Sequence, residues 1–167
     1  MLKKQFSKKV FIYLLIISFA FFLDRISKIY ILNLAESSGA VNIPLTSFLN
    51  FILVWNTGIG FGLFSFDGNT MYNLITILIV IVNLIIIYLM LTSDDIRGYL
   101  FSMILGGSLG NLFDRFYYSA VPDFIDLNYN GFHWFVFNVA DIFITVGIVC
   151  LIFAELFLNK LNLKNEK

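Results

Sequence analysis

The sequence is poor in charge and in the side chains that build most metal sites. Only 13% of its 167 residues are Asp, Glu, Lys or Arg, against about 25% in soluble domains. It contains one Cys and one His, which excludes an internal disulfide framework and a zinc site built from clustered His residues. Lys and Arg form no basic face outside the termini, so no nucleic-acid partner is predicted. We also expect no cofactor and no metal.

Apolar side chains, by contrast, make up 59% of the chain, and twenty residues are Phe. A helix needs about 20 residues to cross the bilayer core. Apolar runs of about that length cover approximately residues 10–32, 70–91, 96–116 and 137–158. We therefore predict a polytopic α-helical membrane protein with four transmembrane helices, in which residues 1–167 form a single integral membrane domain.

The first apolar run follows a basic head, residues 1–9, which contains four Lys. A basic head and a short apolar run are also found in cleavable signal peptides. No small-x-small cleavage site follows directly, and the apolar pattern resumes after Lys28. We therefore expect an uncleaved first span.

Two segments outside the spans, 33–69 and 117–136, have a different composition. The first contains several Gly, Asn and Ser residues that break helices. Within it, residues 48–55 are rich in side chains favoured in strands. We predict a small β-element outside the membrane.

Lys and Arg are distributed asymmetrically about the spans. Four Lys precede the first span, Arg97 lies in the turn at 92–98, and three Lys follow the fourth span. The outer segments contain neither residue type. Because cytoplasmic loops are enriched in Lys and Arg, we predict cytoplasmic termini and a cytoplasmic 92–98 turn. In that turn, Ser93 or Asp94 is the predicted N-cap of the third helix.

In this orientation, the polar residues of the spans lie near the outer boundary of the membrane. Asp or Arg at the centre of a membrane helix costs roughly 2.5–3.5 kcal/mol on insertion scales, so such residues usually have a function. Those at the outer boundary are Asp24, Lys28, Asn111, Asp114, Arg115, Asn138 and Asp141, with Asp123 in the outer segment between the last two spans. The sequence therefore indicates a site at the outer face of the membrane.

Asp123 and Asp141 are the candidate catalytic residues. They lie 18 positions apart, one in a loop and one at a helix start. When two carboxyl groups are held close together, ionising both is costly. The pair therefore shares one proton at neutral pH. One can then act as a base toward water and the other as an acid toward a peptide carbonyl. In the alternative interpretation, Asp141 caps or pairs inside the bundle and Asp123 is a solvated loop residue.

The neighbouring charged residues have structural alternatives as well. Asp24 and Lys28 are four positions apart on one helix face and can form a pair. Asp114 and Arg115 could form an ion pair that anchors the end of the third helix. The planar guanidinium of Arg115 also suits peptide carbonyls or a lipid headgroup.

Three uncharged features are also notable, and two of them are open between two interpretations. Asn138 lies three positions before Asp141, where it could be an N-cap or could hold the Asp141 carboxylate or the substrate backbone. Gly106 and Gly110 match a G-x-x-x-G packing face. The glycine-rich residues 56–62 could form a backbone surface for an extended peptide or a plain turn.

Two other classes of protein are alternatives to a peptidase. A carrier or proton-coupled channel would relay ions through Asp24, Asp114 and Asp141, but it should place them near the bilayer midplane and often shows an internal repeat. Neither feature is present. A phospholipid-synthesising transferase would need a cluster of acidic residues suited to a metal, which the sequence also lacks.

Taken together, the motifs resemble a known family, the bacterial lipoprotein signal peptidases (type II signal peptidases). The resemblance covers nearly the whole chain and rests on five short motifs in the family's order. These are residues 24–28 (DRISK), Asn56-Thr57-Gly58 with Phe61, Gly106-Gly107 with Gly110-Asn111 and Asp114-Arg115, Val121 with Asp123-Phe124-Ile125, and Phe137-Asn138 with Ala140-Asp141.

The resemblance implies a fold of four spans with a small extracytoplasmic β-cradle, and an aspartyl dyad at Asp123 and Asp141. It implies cleavage of the signal peptide of a diacylglyceryl-modified prolipoprotein immediately before the lipid-modified Cys. The positions that match the substrate cleft are Asn56, Gly58, Asn111, Arg115 and Asn138. Those that match supports of the site are Asp24, Lys28, Asp114 and Ala140.

The resemblance also implies a setting and an inhibitor. We expect a monomer in the bacterial cytoplasmic (inner) membrane, in contact with membrane phospholipid and inhibited by the cyclic peptide globomycin. The sequence departs from the family pattern at Pro122, at Val136 and at residues 59–60. None of these departures removes a catalytic position, but they leave the substrate preference open.

Overall fold

The structure, a computed structural model, describes residues 2–58, 69–129 and 132–165. The long elements are four helices: α1 (Leu2–Ser38), α2 (Asn69–Thr92), α3 (Ile96–Tyr118) and α4 (Val139–Asn165). Four strands lie between them: β1 (Asn42–Pro44), β2 (Leu49–Asn56), β3 (Val121–Tyr129) and β4 (Phe132–Phe137). The predicted helical membrane protein with a small sheet is therefore confirmed.

Three of the helices, α1, α2 and α4, are long and apolar enough to cross a membrane. The helix α3 has 23 residues, which at 1.5 Å per residue gives about 34 Å and is also enough to span the core. It is less apolar because it carries glycines and the polar residues of the candidate site. Since α3 packs against all three other helices, those residues face protein rather than lipid.

The helix α1 extends beyond its predicted end at residue 32 and continues to Ser38. The N-cap of α3 is Asp95, so the prediction of Ser93 or Asp94 is wrong. The Asp95 carboxylate accepts a hydrogen bond from the Arg97 backbone N–H at 3.0 Å. Hydrogen bonding from the Arg97 side chain holds the pKa of Asp95 below its usual value. Asp94 instead pairs with Lys9 of α1, with Nζ 3.2 Å from Oδ1.

The sheet is antiparallel, with the strand order β1-β2-β3-β4. It joins the two outer segments, because β2 from the first pairs with β3 from the second. The strand expected over residues 48–55 corresponds to β2. The residue pattern did not predict β3, whose sequence contains Pro122 and two Asp, residue types that are depleted in strands. The pairing of Pro122 with Trp55 on β2 overrides that local preference.

Glycines let α3 approach its neighbours closely. A Cβ atom on Gly106 would lie 2.7 Å from the Ala20 Cβ of α1, and one on Gly107 would lie 2.5 Å from the Ala140 carbonyl oxygen of α4. A Cβ on Gly110 would lie 2.6 Å from a carboxylate oxygen of Asp24. The G-x-x-x-G motif is therefore a packing face against α1, and it brings the polar ends of α1, α3 and α4 together.

We expect Gly106→Ala to destabilise the protein more than Gly98→Ala. Both changes gain about 1 kcal/mol of helix propensity, but the Cβ at 106 meets rigid groups, Ala20 Cβ and the Ile17 carbonyl oxygen at 2.8 Å. The Cβ at 98 meets chiefly the hydroxyl end of the Tyr13 side chain rather than backbone or a Cβ atom. Overpacking should cost Gly106→Ala about 1–2 kcal/mol relative to Gly98→Ala. Thermal unfolding in detergent measures this, and equal midpoints for the two variants would contradict the packing role.

Candidate active site

Asp123 reaches the site from strand β3. The strand pairing sets Asp123 opposite Val54, and only 3% of the residue is exposed. Its Oδ2 accepts a hydrogen bond from Asn56 Nδ2 at 2.9 Å, and its Oδ1 accepts one from Asn138 Nδ2 at 2.6 Å. Burial, and then the nearby charge of Asp141, raise the pKa of Asp123 from 3.8 to about 7. This carboxyl group can therefore hold a proton near neutral pH.

Asp141 lies in the first turn of α4. Its Oδ1 accepts from Asn111 Nδ2 at 2.9 Å, and its Oδ2 accepts from the backbone N–H of Asn138 at 3.2 Å. In return, Asn138 Oδ1 accepts from the backbone N–H of Asp141 at 3.0 Å, a reciprocal pattern of the capping-box type. Both interpretations of Asn138 therefore apply, because it caps α4 and also bonds to both candidate catalytic carboxyl groups.

A buried network of ion pairs contacts Asn111, the residue whose side chain donates to Asp141. Lys28 is fully buried and donates to Asp24 Oδ2 at 2.8 Å, Asp114 Oδ2 at 2.7 Å and Asn111 Oδ1 at 2.8 Å. The predicted pair of Asp24 and Lys28 is confirmed. The other Asp24 oxygen accepts from the backbone N–H of Ala140 at 2.9 Å, which ties α1 to the start of α4.

The predicted ion pair between Asp114 and Arg115 is not formed. Asp114 pairs with Lys28 and with Arg25, whose Nη2 lies 2.6 Å from Asp114 Oδ1. Adjacent residues on a helix project about 100° apart, so Asp114 faces α1 while Arg115 faces elsewhere. Arg25 has no role in the sequence-based prediction outside the family motif. It could have been found from charge balance, because Lys28 alone cannot neutralise both Asp24 and Asp114.

Arg115 contacts the end of β2 and the helix α2. Its Nη2 donates to the Gly58 carbonyl oxygen, and its guanidinium carbon lies 5.2 Å from the centre of the Tyr72 ring. The Tyr72 hydroxyl donates to the Arg115 carbonyl oxygen at 2.8 Å. Gly58 is held in turn by its N–H, which donates to Asn56 Oδ1 at 2.9 Å. Among the residues described, Nη1 of Arg115 is buried and has no hydrogen-bond partner.

The two candidate catalytic carboxyl groups and their hydrogen-bond donors line one cavity of about 240 Å³. Of the predicted catalytic and substrate-binding residues, all but Gly58 border it. The lining comprises Asn56, Asn111, Arg115, Asp123, Asn138 and Asp141 together with Ile79, Ser108, Val121, Ile144 and Thr145. Phe61 and the departure at residues 59–60 lie outside the described residues.

Ser108 and Thr145 border the cavity but were not predicted from the sequence. Ser108 lies three positions before Asn111, and Thr145 lies four positions after Asp141. Residues at these spacings share a helix face. Searching for polar side chains one turn away from Asn111 and Asp141 could therefore have predicted both residues.

In the described ranges, no group of three or more His, Cys, Asp or Glu side chains is placed to hold a metal ion. Two acidic side chains border a cavity where a sheet meets membrane helices, and both bond to Asn138, one to its side-chain amide and the other to its backbone N–H. Such an arrangement is typical of a membrane-embedded aspartic peptidase.

The comparisons with known proteins agree with this class. The family model for signal peptidase (SPase) II matches residues 16–157. A lipoprotein signal peptidase of Pelagibacter ubique (strain HTCC1062) is 56% identical over 160 residues, which cover 95% of this chain and 96% of that protein. The lipoprotein signal peptidase of Anaplasma phagocytophilum (strain HZ) is 38% identical, with 89% and 94% covered.

A solved structure described as a bacterial membrane enzyme, determined in meso at 1.9 Å, superimposes with a TM-score of 0.72. It is 25% identical, with 86% of this chain and 92% of that chain covered. The chain belongs to the signal peptidase II family. It is a protease of bacterial membranes that cleaves the signal peptides of prolipoproteins, which excludes the carrier and transferase alternatives as its main function.

We expect Asp141→Asn to lower the pKa of Asp123 from about 7 while leaving it above 3.8. The nearby negative charge of Asp141 is the second cause of the raised pKa and would be lost, whereas burial, the largest cause, would remain. Carboxyl resonances from ¹³C-Asp labelled protein, assigned with Asp123→Asn, measure this pKa. An unchanged pKa in Asp141→Asn would mean that the two carboxyl groups do not interact.

Proposed function

We propose that Asp123 and Asp141 are the catalytic residues of the peptidase. The observation that carries this proposal is that Asn138 bonds to both carboxyl groups while both border the same cavity. A carboxylate that accepts the proton of a water molecule generates the nucleophile, and a neutral carboxyl group that donates to the peptide carbonyl stabilises the developing oxyanion. A pair that holds one proton provides both groups.

Substrate binding is assigned to the donors around the cavity. Arg115 has a buried, unpartnered Nη1 in the described structure, which suits a carbonyl oxygen of the bound peptide. Its other terminal nitrogen, Nη2, donates to the Gly58 carbonyl oxygen and so fixes the orientation of the guanidinium group. Asn56, Asn111 and Asn138 orient the two carboxyl groups. Asp24, Lys28, Asp114 and Ala140 support the site from below through the buried network.

The substrate is a diacylglyceryl-modified prolipoprotein, cut immediately before the lipid-modified Cys. The position of the site supports this, because Asp141 begins a membrane helix and Asp123 lies on the adjoining sheet. The acyl chains of the substrate can then remain among membrane phospholipids while the peptide bond reaches the dyad. The apolar part of the cavity, with Ile79 and Ile144, provides a surface for the apolar signal peptide.

The protein lies in the bacterial inner membrane with both termini in the cytoplasm and the site at the outer face. The distribution of Lys and Arg supports this orientation. In the fold, the sheet and the dyad lie at the same end of the helices, opposite to Arg97 and Lys9. We further propose that the protein acts as a monomer, because one chain supplies every residue of the proposed dyad and its supports. Membership of the family supports inhibition by globomycin.

The catalytic assignment is tested with purified protein in detergent, a diacylglyceryl-modified prolipoprotein and chelator throughout. Asp123→Asn and Asp141→Asn should each lower the cleavage rate at least about a hundredfold, the usual contribution of a general acid or base. The control is Asp126→Asn, which removes a buried carboxyl of the same strand that bonds to Asn50 and His133 instead. Retained cleavage in either dyad variant, with the control active, would refute the assignment.

Arg115→Lys should raise KM and lower kcat/KM by about tenfold to a hundredfold. A hydrogen bond to a charged group contributes about 1.5–3 kcal/mol, and a single ammonium cannot reproduce the planar fork that holds Gly58 and faces the cavity. Arg97→Lys is the matched control, because Arg97 lies at the other end of α3 and pairs with Asp95 and Glu155. Equal KM values for the two variants would show that Arg115 does not bind substrate.

A further inference from the structure

The side chain of Asn111 connects the buried ion pairs to the dyad. Its Oδ1 accepts from Lys28 Nζ at 2.8 Å, and its Nδ2 donates to Asp141 Oδ1 at 2.9 Å. An ammonium group has donors only, whereas an amide has an acceptor end and a donor end. Lys28 can therefore bind only the oxygen of Asn111, and this leaves the N–H of the amide directed at Asp141.

The two carboxyl groups of the dyad differ in what surrounds them. Asp141 lies in the first turn of α4 and accepts a backbone N–H there, where the helix dipole stabilises a negative charge. Its second donor, Asn111, is polarised by the ammonium of Lys28, since hydrogen bonds in a chain strengthen one another. Asp123 lies on a strand with no helix terminus, and among the described residues it accepts from the neutral amides of Asn56 and Asn138.

The other charged and titratable groups near the dyad come from three elements. The helix α1 contributes Lys28 and Asp24, α3 contributes Arg115 and Asp114, and α2 contributes the phenol of Tyr72 beneath the Arg115 guanidinium. Asp24 and Asp114 directly contact Lys28, and Arg25 contacts Asp114 in turn. Of these groups, only Lys28 is linked to one member of the dyad through a single amide.

Resting on the proposed function, we propose that Lys28 is a positioning residue that decides where the proton of the dyad resides. By fixing the amide of Asn111, it makes Asp141 the ionised base and Asp123 the neutral acid. In the first step, the oxygen of water bonds to the peptide carbonyl carbon as its proton passes to Asp141, and the proton of Asp123 passes to the carbonyl oxygen. In the second, the C–N bond breaks, the leaving nitrogen takes the proton from Asp141, and a diol hydroxyl returns a proton to Asp123.

The location of the proton is tested without turnover, by infrared titration of ¹³C-Asp labelled protein. In wild type, the band of a neutral carboxyl should persist to near neutral pH and should be absent from Asp123→Asn, while Asp126→Asn retains it. A neutral-carboxyl band that persists in Asp123→Asn and disappears in Asp141→Asn would overturn the assignment. The cleavage assay separately decides whether the two Asp residues are catalytic, so failure of either proposal is distinguishable.

The role of Lys28 is tested with variants that keep the buried charge balanced. Asn111→Leu cuts the link and leaves every ion pair in place. The double variant Lys28→Met with Asp114→Asn removes one positive and one negative charge together. In both, protonation of Asp141 should begin about one pH unit higher than in wild type, seen as a second neutral-carboxyl band.

Asp114→Asn alone is the matched control, because it retains Lys28 and its contact with Asn111. In this variant the second band should develop at the same pH as in wild type or lower. A merely structural role of Lys28 predicts lost thermal stability with no movement of this band. If the bands of Asn111→Leu and of the double variant titrate as in wild type, Lys28 does not position the proton.

Discussion

The structure depends on one fully buried ammonium group, that of Lys28. Isolated in a medium of low polarity such a charge would be very costly, and it is retained only with partners that compensate for the lost water. Lys28 has three, Asp24 on its own helix and Asp114 and Asn111 on α3. Asp24 also binds the backbone of Ala140. The ammonium therefore fixes α1, α3 and α4 relative to one another, and removing Lys28 alone would leave, among the described residues, only the Arg25 guanidinium to balance the buried carboxylates of Asp24 and Asp114.

The close helix packing is a condition for that arrangement. The Lys28 side chain reaches α3 because Gly106 and Gly110 have no side chains to hold the helices apart, and Gly110 lies directly against the Asp24 carboxylate. Any larger residue at 110 would occupy the space of that carboxylate. The small residues of α3 are thus part of the electrostatics of the site as well as of its packing.

Sequence reasoning identified what depends on local pattern. Long apolar runs predict the helices, and the spacing of Asp24 and Lys28 predicts their ion pair. The position of Asn138 before Asp141 predicts the N-cap of α4. It failed where a partner comes from a distant element. Asp114 was paired with its neighbour in sequence, but its partners are on α1, and only the rotation of α3 about its axis determines that. The strand β3 was missed because its pairing with β2, and not its composition, makes it a strand. The residues alone predicted a small β-element at β2, and the resemblance to a family extended that prediction to a β-cradle.

The proposed dyad is assembled from two kinds of element, and this explains how its members can differ. A carboxyl at a helix start receives a backbone N–H and the favourable end of the helix dipole, whereas one on a strand receives neither. Asp123 and Asp141 share Asn138, but through different groups, the side-chain amide for Asp123 and the backbone N–H for Asp141. A symmetric pair would need some other feature to choose which group ionises. In this protein the asymmetry follows from the fold, because the sheet and the helix bundle each contribute one acid.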